Sequence, residues 1–314
     1  MKRVLLSSIA IFCSISIMAQ NSVNLRMNLE KNKVYRFKSV SAQTIKQTIN
    51  GNQQVVDSKV DYSLSLKMID ATPEFIVTEV HLDTLITNTN SMGKLVSISS
   101  LKDGDIKSGE NADVMSCIMN RLSKNALFVK MAYSGMPIEI VNSKMLSGII
   151  LKDTSTITLT GPMAEAVKTQ ISDMVSEKTL KTMVGMFTYF LPGKEVPIGA
   201  DWVVALQTNS GGMTLDISTS YHLDKVNGNY ANITAESSIQ TAKNADPIKS
   251  GGATVTYDDL KGLSKSTLVL DIRTGLVVEN KAKSHITGNL GISAPGMSMQ
   301  IPMDIIGESK VVAL

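Results

Sequence analysis

The chain has 314 residues, with 31 Lys+Arg against 28 Asp+Glu, a formal charge of +3, 43% hydrophobic and 19% charged residues. That balance excludes a disordered polyelectrolyte and lacks the strongly basic footprint of a nucleic-acid binder. Length alone suits one large β domain or two lobes.

Met1 to Ala19 reads as an export leader: Lys2 and Arg3 form a positive start, Val4 to Met18 an apolar run, and Ala19 a small residue before Gln20. Cleavage near Ala19-Gln20 would leave 29 basic against 28 acidic residues and a charge near +1. The expected location is therefore the periplasm or the exterior. Lipidation at Cys13 is disfavoured, because the bulky Phe12 precedes it. Cys117 would then be the sole thiol, with no disulfide to form. No later segment reaches the ~20 apolar residues that a membrane-spanning helix needs.

From residue 20 to 161 the pattern is mainly period two. Val60, Tyr62, Leu64, Leu66 and Met68 alternate with Asp61, Ser63, Ser65 and Lys67, the signature of an antiparallel strand with one wet face. Turn signals punctuate the chain at Asn50-Gly51, Asp103-Gly104, Ser134-Gly135, Gly211-Gly212, Asn227-Gly228 and Thr274-Gly275. Between them, Val114, Met115, Ile118 and Leu122 mark one helical face, with Asn111 as N-cap and Cys117 flanking it as a buried spectator. A short helix is expected over Lys144 to Ile150.

Residues 162–191 are the main helical interruption. Met163, Val167, Ile171, Met174 and Val175 share one face, Ser176-Glu177-Lys178-Thr179 breaks the polarity, and Leu180, Met183, Val184, Phe187 and Phe190 follow before Leu191-Pro192-Gly193 stops the run. Period two returns over 192–314, in Met213, Leu215, Ile217, Thr219, Tyr221 and Leu223, and in Leu276, Val278, Ala282 and Ile286. The expected fold is α+β and predominantly antiparallel: curved sheets or a half-barrel of hairpins, with the central helical pair packed on the sheet. The two β regions are loosely alike, which hints at duplication.

The histidines His81, His222 and His285 each fall on a polar strand face, and no spacing of His and Cys makes a zinc site. Nucleophile elbows, P-loops and dinucleotide fingerprints are missing, and the adjacent Asp258-Asp259 pair reads as solvated turn acids. No cofactor and no catalytic residue is expected. Methionine is abundant, 18 in all, while aromatics are 4%. Soft thioether side chains fill irregular cores, the ordinary reading here, and also re-pack around variable guests, so the functional alternative is an apolar cavity beneath the helices lined by Met183, Phe187 and Tyr189.

Three stretches carry a resemblance: Leu25 to Phe37, Leu270 to Val278, and the Leu-Pro-x-Lys-x-Val-x-x-Gly-x-x-Trp pattern from Leu191 to Trp202. They resemble an uncharacterised family of exported Bacteroidetes proteins, a domain of unknown function. In architecture alone, curved hairpins with lid helices are similar to periplasmic lipoprotein carriers of the LolA type. The resemblance implies no catalytic residues. The leading expectation is a non-enzymatic envelope protein that binds a lipid or other apolar or amphipathic ligand, or packs on an envelope protein partner, with no nucleic acid involved. A structural or protein-interaction module with a solid core and a hydrolase with a non-local site stay open as alternatives.

Overall fold

A computed structural model describes residues 22–49, 51–159, 162–210, 213–243, 245–250 and 252–314. The expected leader with Cys13, and the turn residues Asn50, Thr160, Gly161, Gly211 and Gly212, lie outside the described residues.

The first β region comprises β1 (Ser22–Leu25), β2 (Val34–Ile49), β3 (Asn52–Ala71), β4 (Ile76–Ser91) and β5 (Lys94–Ser99). Helix α1 (Asn111–Ser123), β6 (Leu127–Met131), β7 (Pro137–Ile140) and α2 (Ser143–Ile150) follow. The central pair is α3 (Pro162–Met174) and α4 (Glu177–Thr188). The second region holds β8 (Lys194–Pro197), β9 (Asp201–Ser210), β10 (Met213–Asn227), β11 (Tyr230–Thr241), β12 (Ile248–Ser250), β13 (Ala253–Asp271), β14 (Leu276–Ala294) and β15 (Met297–Ala313).

The expected α+β, predominantly antiparallel architecture is what forms. Among the described residues, one open sheet runs β7-β6-β4-β3-β2-β15-β14-β13-β11-β10-β9, with β5 added on β4 and β12 on β13. Strand β1 pairs separately with β8. The two β regions meet where β15 pairs with β2, from Met303 opposite Gln47 to Ala313 opposite Phe37.

Helix α4 fixes the curvature. Laid flat, an eleven-strand path would hold its edges about 48 Å apart, whereas a twelve-residue helix is only ~18 Å long. Yet α4 touches both edge strands, β7 and β9. Lys181 Nζ donates to the Ile138 carbonyl of β7 at 3.3 Å, and Lys178 Nζ to Gln207 Oε1 of β9 at 2.7 Å. The sheet therefore wraps around the helix, which sits against both of its edge strands.

Local sequence explains the helix ends. Ser176 adopts an extended backbone and its hydroxyl accepts from the Thr179 N–H, so the polarity break between α3 and α4 is an N-cap. At α1 the expectation is corrected. Glu110 holds the cap position without a side-chain cap bond, and Asn111 is already helical. Val114, Met115, Ile118 and Leu122 are buried as the periodicity requires, and Cys117 is a buried free thiol.

The main core joins the helices to one end of the sheet: Val114, Ile118, Val167, Ile171, Leu180, Val184 and Phe187 pack with Phe37, Leu64, Leu268 and Leu270. A second, smaller cluster holds Met213, Leu215, Ile239, Leu260, Ile286, Met303 and Ile305 toward the other end of the strands. The face carrying both clusters is the inner one. The outer face carries ion pairs between strands, Lys265 with Glu236 at 3.0 Å and Lys283 with Glu308 at 2.8 Å. Exposed pairs of this kind are screened by solvent and contribute little to stability.

Candidate functional site: an uncharged trough on the inner face

Strand register turns separate alternating segments into continuous rows across the inner face. One row is aliphatic. From β9 it reads Leu206, Ile217, Ile239, Gly262, Ile286, Ile305, Ile45 and Val56, each directly opposite the next. Ile239, Ile286 and Ile305 are buried. β-Branched side chains are stiff and pack well on a pleated surface, which is why one isoleucine after another occupies the same level.

Two residues further along each strand the chemistry changes. Thr219, Ser237, Ser264, Ser284, Gly307, Gln43, Ser58 and Thr89 form the adjacent row. Beyond it lie Tyr221, Ala235, Ser266, Ala282, Ser309, Ser41, Val60 and Thr87. None of the three rows contains a charged side chain. An inner sheet face is ordinarily apolar throughout, so a belt of hydroxyls between two apolar clusters is a departure. Ser264, Ser266, Ala282, Ser284, Ser309 and Ser41 are only half-buried. Short side chains here leave an open trough, where residues the size of isoleucine would fill it.

Gly307 belongs to this design, because a Cβ there would stand 2.6 Å from Ser284 Oγ. Thr219 and Ser237 share a 2.9 Å hydrogen bond. A hydroxyl both donates and accepts, so a row of them at ~4.8 Å strand spacing suits ester, ether, hydroxyl or amide groups of a ligand. The isoleucine row alongside suits its hydrocarbon. At the border with the main core, Asn280 lies opposite Leu268 on one side and Val311 on the other. Its Oδ1 is the one buried side-chain oxygen or nitrogen without a hydrogen-bond partner among the described residues. Such an orphan is rare, since buried polar groups are nearly always paired.

At the β9 side the trough ends on aromatic rings. Trp202 and Tyr221 stack with centroids 5.6 Å apart and planes 9° from parallel. Burial pushes the Tyr221 hydroxyl up to about 12. Of the residues expected to line a cavity, Phe187 is buried in the main core, Met183 packs against it, and Tyr189 caps the end of α4, half-buried. The hydroxyl rows escaped sequence reading.

The histidines sit on the outer face, each beside a carboxylate: His81 with Glu79 at 2.9 Å, His222 with Asp201 at 2.8 Å and His285 with Asp304 at 2.7 Å. Among the described residues none of the three rings meets a Ser or Thr hydroxyl. Lys67 and His81 together hold the Glu79 carboxyl below its usual range. Asp258 and Asp259 lie within β13, at a register shift against β14, so the expectation of turn acids is corrected to a bulge. Asp258 Oδ2 there accepts from Thr256 Oγ1 and Gln300 Nε2 at 3.0 and 2.9 Å. No group of three His, Cys, Asp or Glu residues able to hold a metal occurs among the described residues. None of their helices is long and apolar enough to cross a membrane.

Among solved structures, the chain is similar to lipovitellin, from a study of lipid–protein interactions, at 8% identity and a TM-score of 0.46, over 91% of this chain and 25% of that one. The chain thus spans about a quarter of the lipovitellin chain it matches. An outer membrane channel from Pseudomonas putida F1 aligns at 8% identity and a TM-score of 0.28, over 92% of this chain and 98% of that one. No curated protein matches the sequence. Residues 74–277, which carry half of the positions in the rows described above, match the model of a family of unknown function, DUF6263, and the chain belongs to that family.

Proposed function

We propose that the protein is a non-enzymatic envelope component that holds an amphipathic ligand in the trough, hydrocarbon along the isoleucine row and uncharged polar groups on the hydroxyl belt. The observation that carries this is the uncharged, half-open belt of Ser, Thr, Ala and Gly between two apolar clusters. Charged groups would be costly to desolvate there with no counter-charge on any of the three rows, so a lipid or similar amphipath must keep a charged headgroup outside. Export through a leader ending near Ala19, and an origin in Bacteroidetes, belong to the same reading and rest on the sequence. The likeness to LolA-type carriers is one of architecture alone, an open antiparallel sheet with helices on its concave side.

The test is native mass spectrometry of protein purified under mild conditions, with binding of a fluorescent fatty-acid analogue measured in parallel. The parent should carry or take up an amphipath. Ser264→Leu/Ser284→Leu, which fills the belt with two apolar side chains, should lower occupancy about tenfold while retaining the circular dichroism of the parent. A parent that neither carries nor binds an amphipath overturns the reading.

A second reading, docking on an envelope protein, is favoured by the apolar residues exposed along β7 and α2: Ile138, Val141, Met145 and Ile149 are 39%, 58%, 56% and 41% exposed. Monomeric surfaces seldom gather such residues without a use. Ile138→Ser/Met145→Ser should then lose a partner captured by crosslinking in the native envelope while the ligand occupancy of the trough is unchanged.

A further inference from the structure

The isoleucine row ends at Val56, and beyond it at the same register come Ser91 on β4 and Lys94 on β5, the two residues that flank the Met92-Gly93 turn. Both turn residues have positive φ, 51° at Met92 and 78° at Gly93. A two-residue hairpin with that backbone favours Asn or Asp before the glycine, because short polar side chains tolerate the left-handed region. A methionine there departs from the local preference, and it is 77% exposed. Around it Leu95 is 67% exposed and Val55, one residue beyond the Ser91 partner, 38%. Lys94 at the turn and Lys46 opposite Val55 have no ion pair among the described residues. Asp57, the nearby acid, accepts a hydrogen bond from Thr44.

An apolar tip flanked by two unpaired cations is complementary to an anionic bilayer surface, where the apolar side chains enter the acyl boundary and the ammonium groups meet lipid phosphates. We propose that the β4–β5 turn docks the protein on an anionic lipid surface, with Met92 and Leu95 inserted and the isoleucine row opening onto that surface. The docking site deepens the ligand-binding reading and rests on it for its purpose.

Flotation of the purified protein with phosphatidylcholine vesicles, with and without phosphatidylglycerol, tests it. The parent should float with the phosphatidylglycerol vesicles, and Met92→Asn/Leu95→Ser should reduce the bound fraction about tenfold. Met92→Asn suits the left-handed turn, so its thermal midpoint should be no lower than the parent's, and lost flotation could not then be ascribed to misfolding. Lys94→Ser should remove most of the difference between the two vesicle types. A parent that does not float, or a double variant that floats as the parent does, overturns the proposal. Uptake of the fatty-acid analogue separates the two readings. A parent that floats through Met92 and Leu95 yet takes up no analogue fails the trough alone, and one that takes it up but floats independently of these residues fails the docking alone.

Discussion

The indole Nε1 of Trp202 donates to the backbone carbonyl of Phe190 at 2.9 Å. The bond ties the exit of the central helices to β9, and the Tyr221 ring stacked on the indole extends the tie to β10. Together with the Lys181 bond to Ile138 at the opposite edge, it holds α4 across the gap between the two ends of the sheet.

Trp202→Phe keeps an aromatic ring for Tyr221 and leaves the Phe190 carbonyl without its donor, so a loss of about 1–3 kcal/mol is expected. Trp202→Ala removes the stack as well and should cost about 3 kcal/mol or more. Urea unfolding followed by circular dichroism checks both, with the slope unchanged if the variants lose stability alone.

Tyr221 predicts an alkaline transition. Its hydroxyl is raised by burial to about 12, against about 10 in an unfolded chain. The neutral form is thus favoured in the fold: its contribution to stability is complete below pH ~10 and is lost as pH rises toward the folded value. An ultraviolet titration of the seven tyrosines should show a late-ionising component that shrinks in Tyr221→Phe, the remainder coming from Tyr62 and Tyr257, whose hydroxyls burial also raises. The same variant should lose stability less steeply between those two values than the parent.

The glycines beneath the rows differ in what they allow. A Cβ at Gly262 would lie 2.5 Å from the His285 carbonyl oxygen and 2.8 Å from Ile286 Cα, both backbone, so β13 and β14 would have to part. At Gly307 a Cβ would meet chiefly the Ser284 hydroxyl, which rotates away. Gly262→Ala should therefore cost about 1–3 kcal/mol. Gly307→Ala should cost under about 1 kcal/mol while narrowing the trough. Equal denaturation midpoints for the two variants would contradict this account.

Local pattern reached far into this fold because each long strand announces its buried face by alternation, and Met213 through Leu223 point inward as period two requires. The joining of both β regions through β2 and β15 was not legible. Lys38 lies opposite Val312, and no local signal spans that separation. The trough was hidden for a related reason. Most strands contribute one aliphatic residue and one or two small ones, and a row exists only once seven successive registers are known. A trace was present nonetheless: between Leu276 and Ile286 the inner face lapses at Asn280 and Ser284, and between Leu260 and Leu268 at Gly262, Ser264 and Ser266. Lapses at matching levels of neighbouring strands mark a hollow. Val278 was misread by the same alternation, since a register shift near Val269 and Leu270 buries Val277 in the core.

Asn280 offers a test in which ligand and fold respond in opposite directions. Its Oδ1 is buried without a partner, between Leu268 and Val311 on the inner face. Leaving an acceptor unsatisfied costs roughly 1–3 kcal/mol, so Asn280→Leu, close in volume and matched to its two aliphatic neighbours, should be neutral or stabilising by up to that amount in the empty protein. If a ligand's hydroxyl or amide donates to this oxygen, the same change removes one hydrogen bond from the complex and lowers affinity about tenfold, the equivalent of ~1.4 kcal/mol. Thermal unfolding with and without the fatty-acid analogue and its monoglyceride reads both quantities. The expected result is a midpoint without ligand no lower than the parent's and a smaller shift on adding the monoglyceride, whose free hydroxyls can reach the belt. A full shift with the monoglyceride would mean that Asn280 faces the trough without serving it.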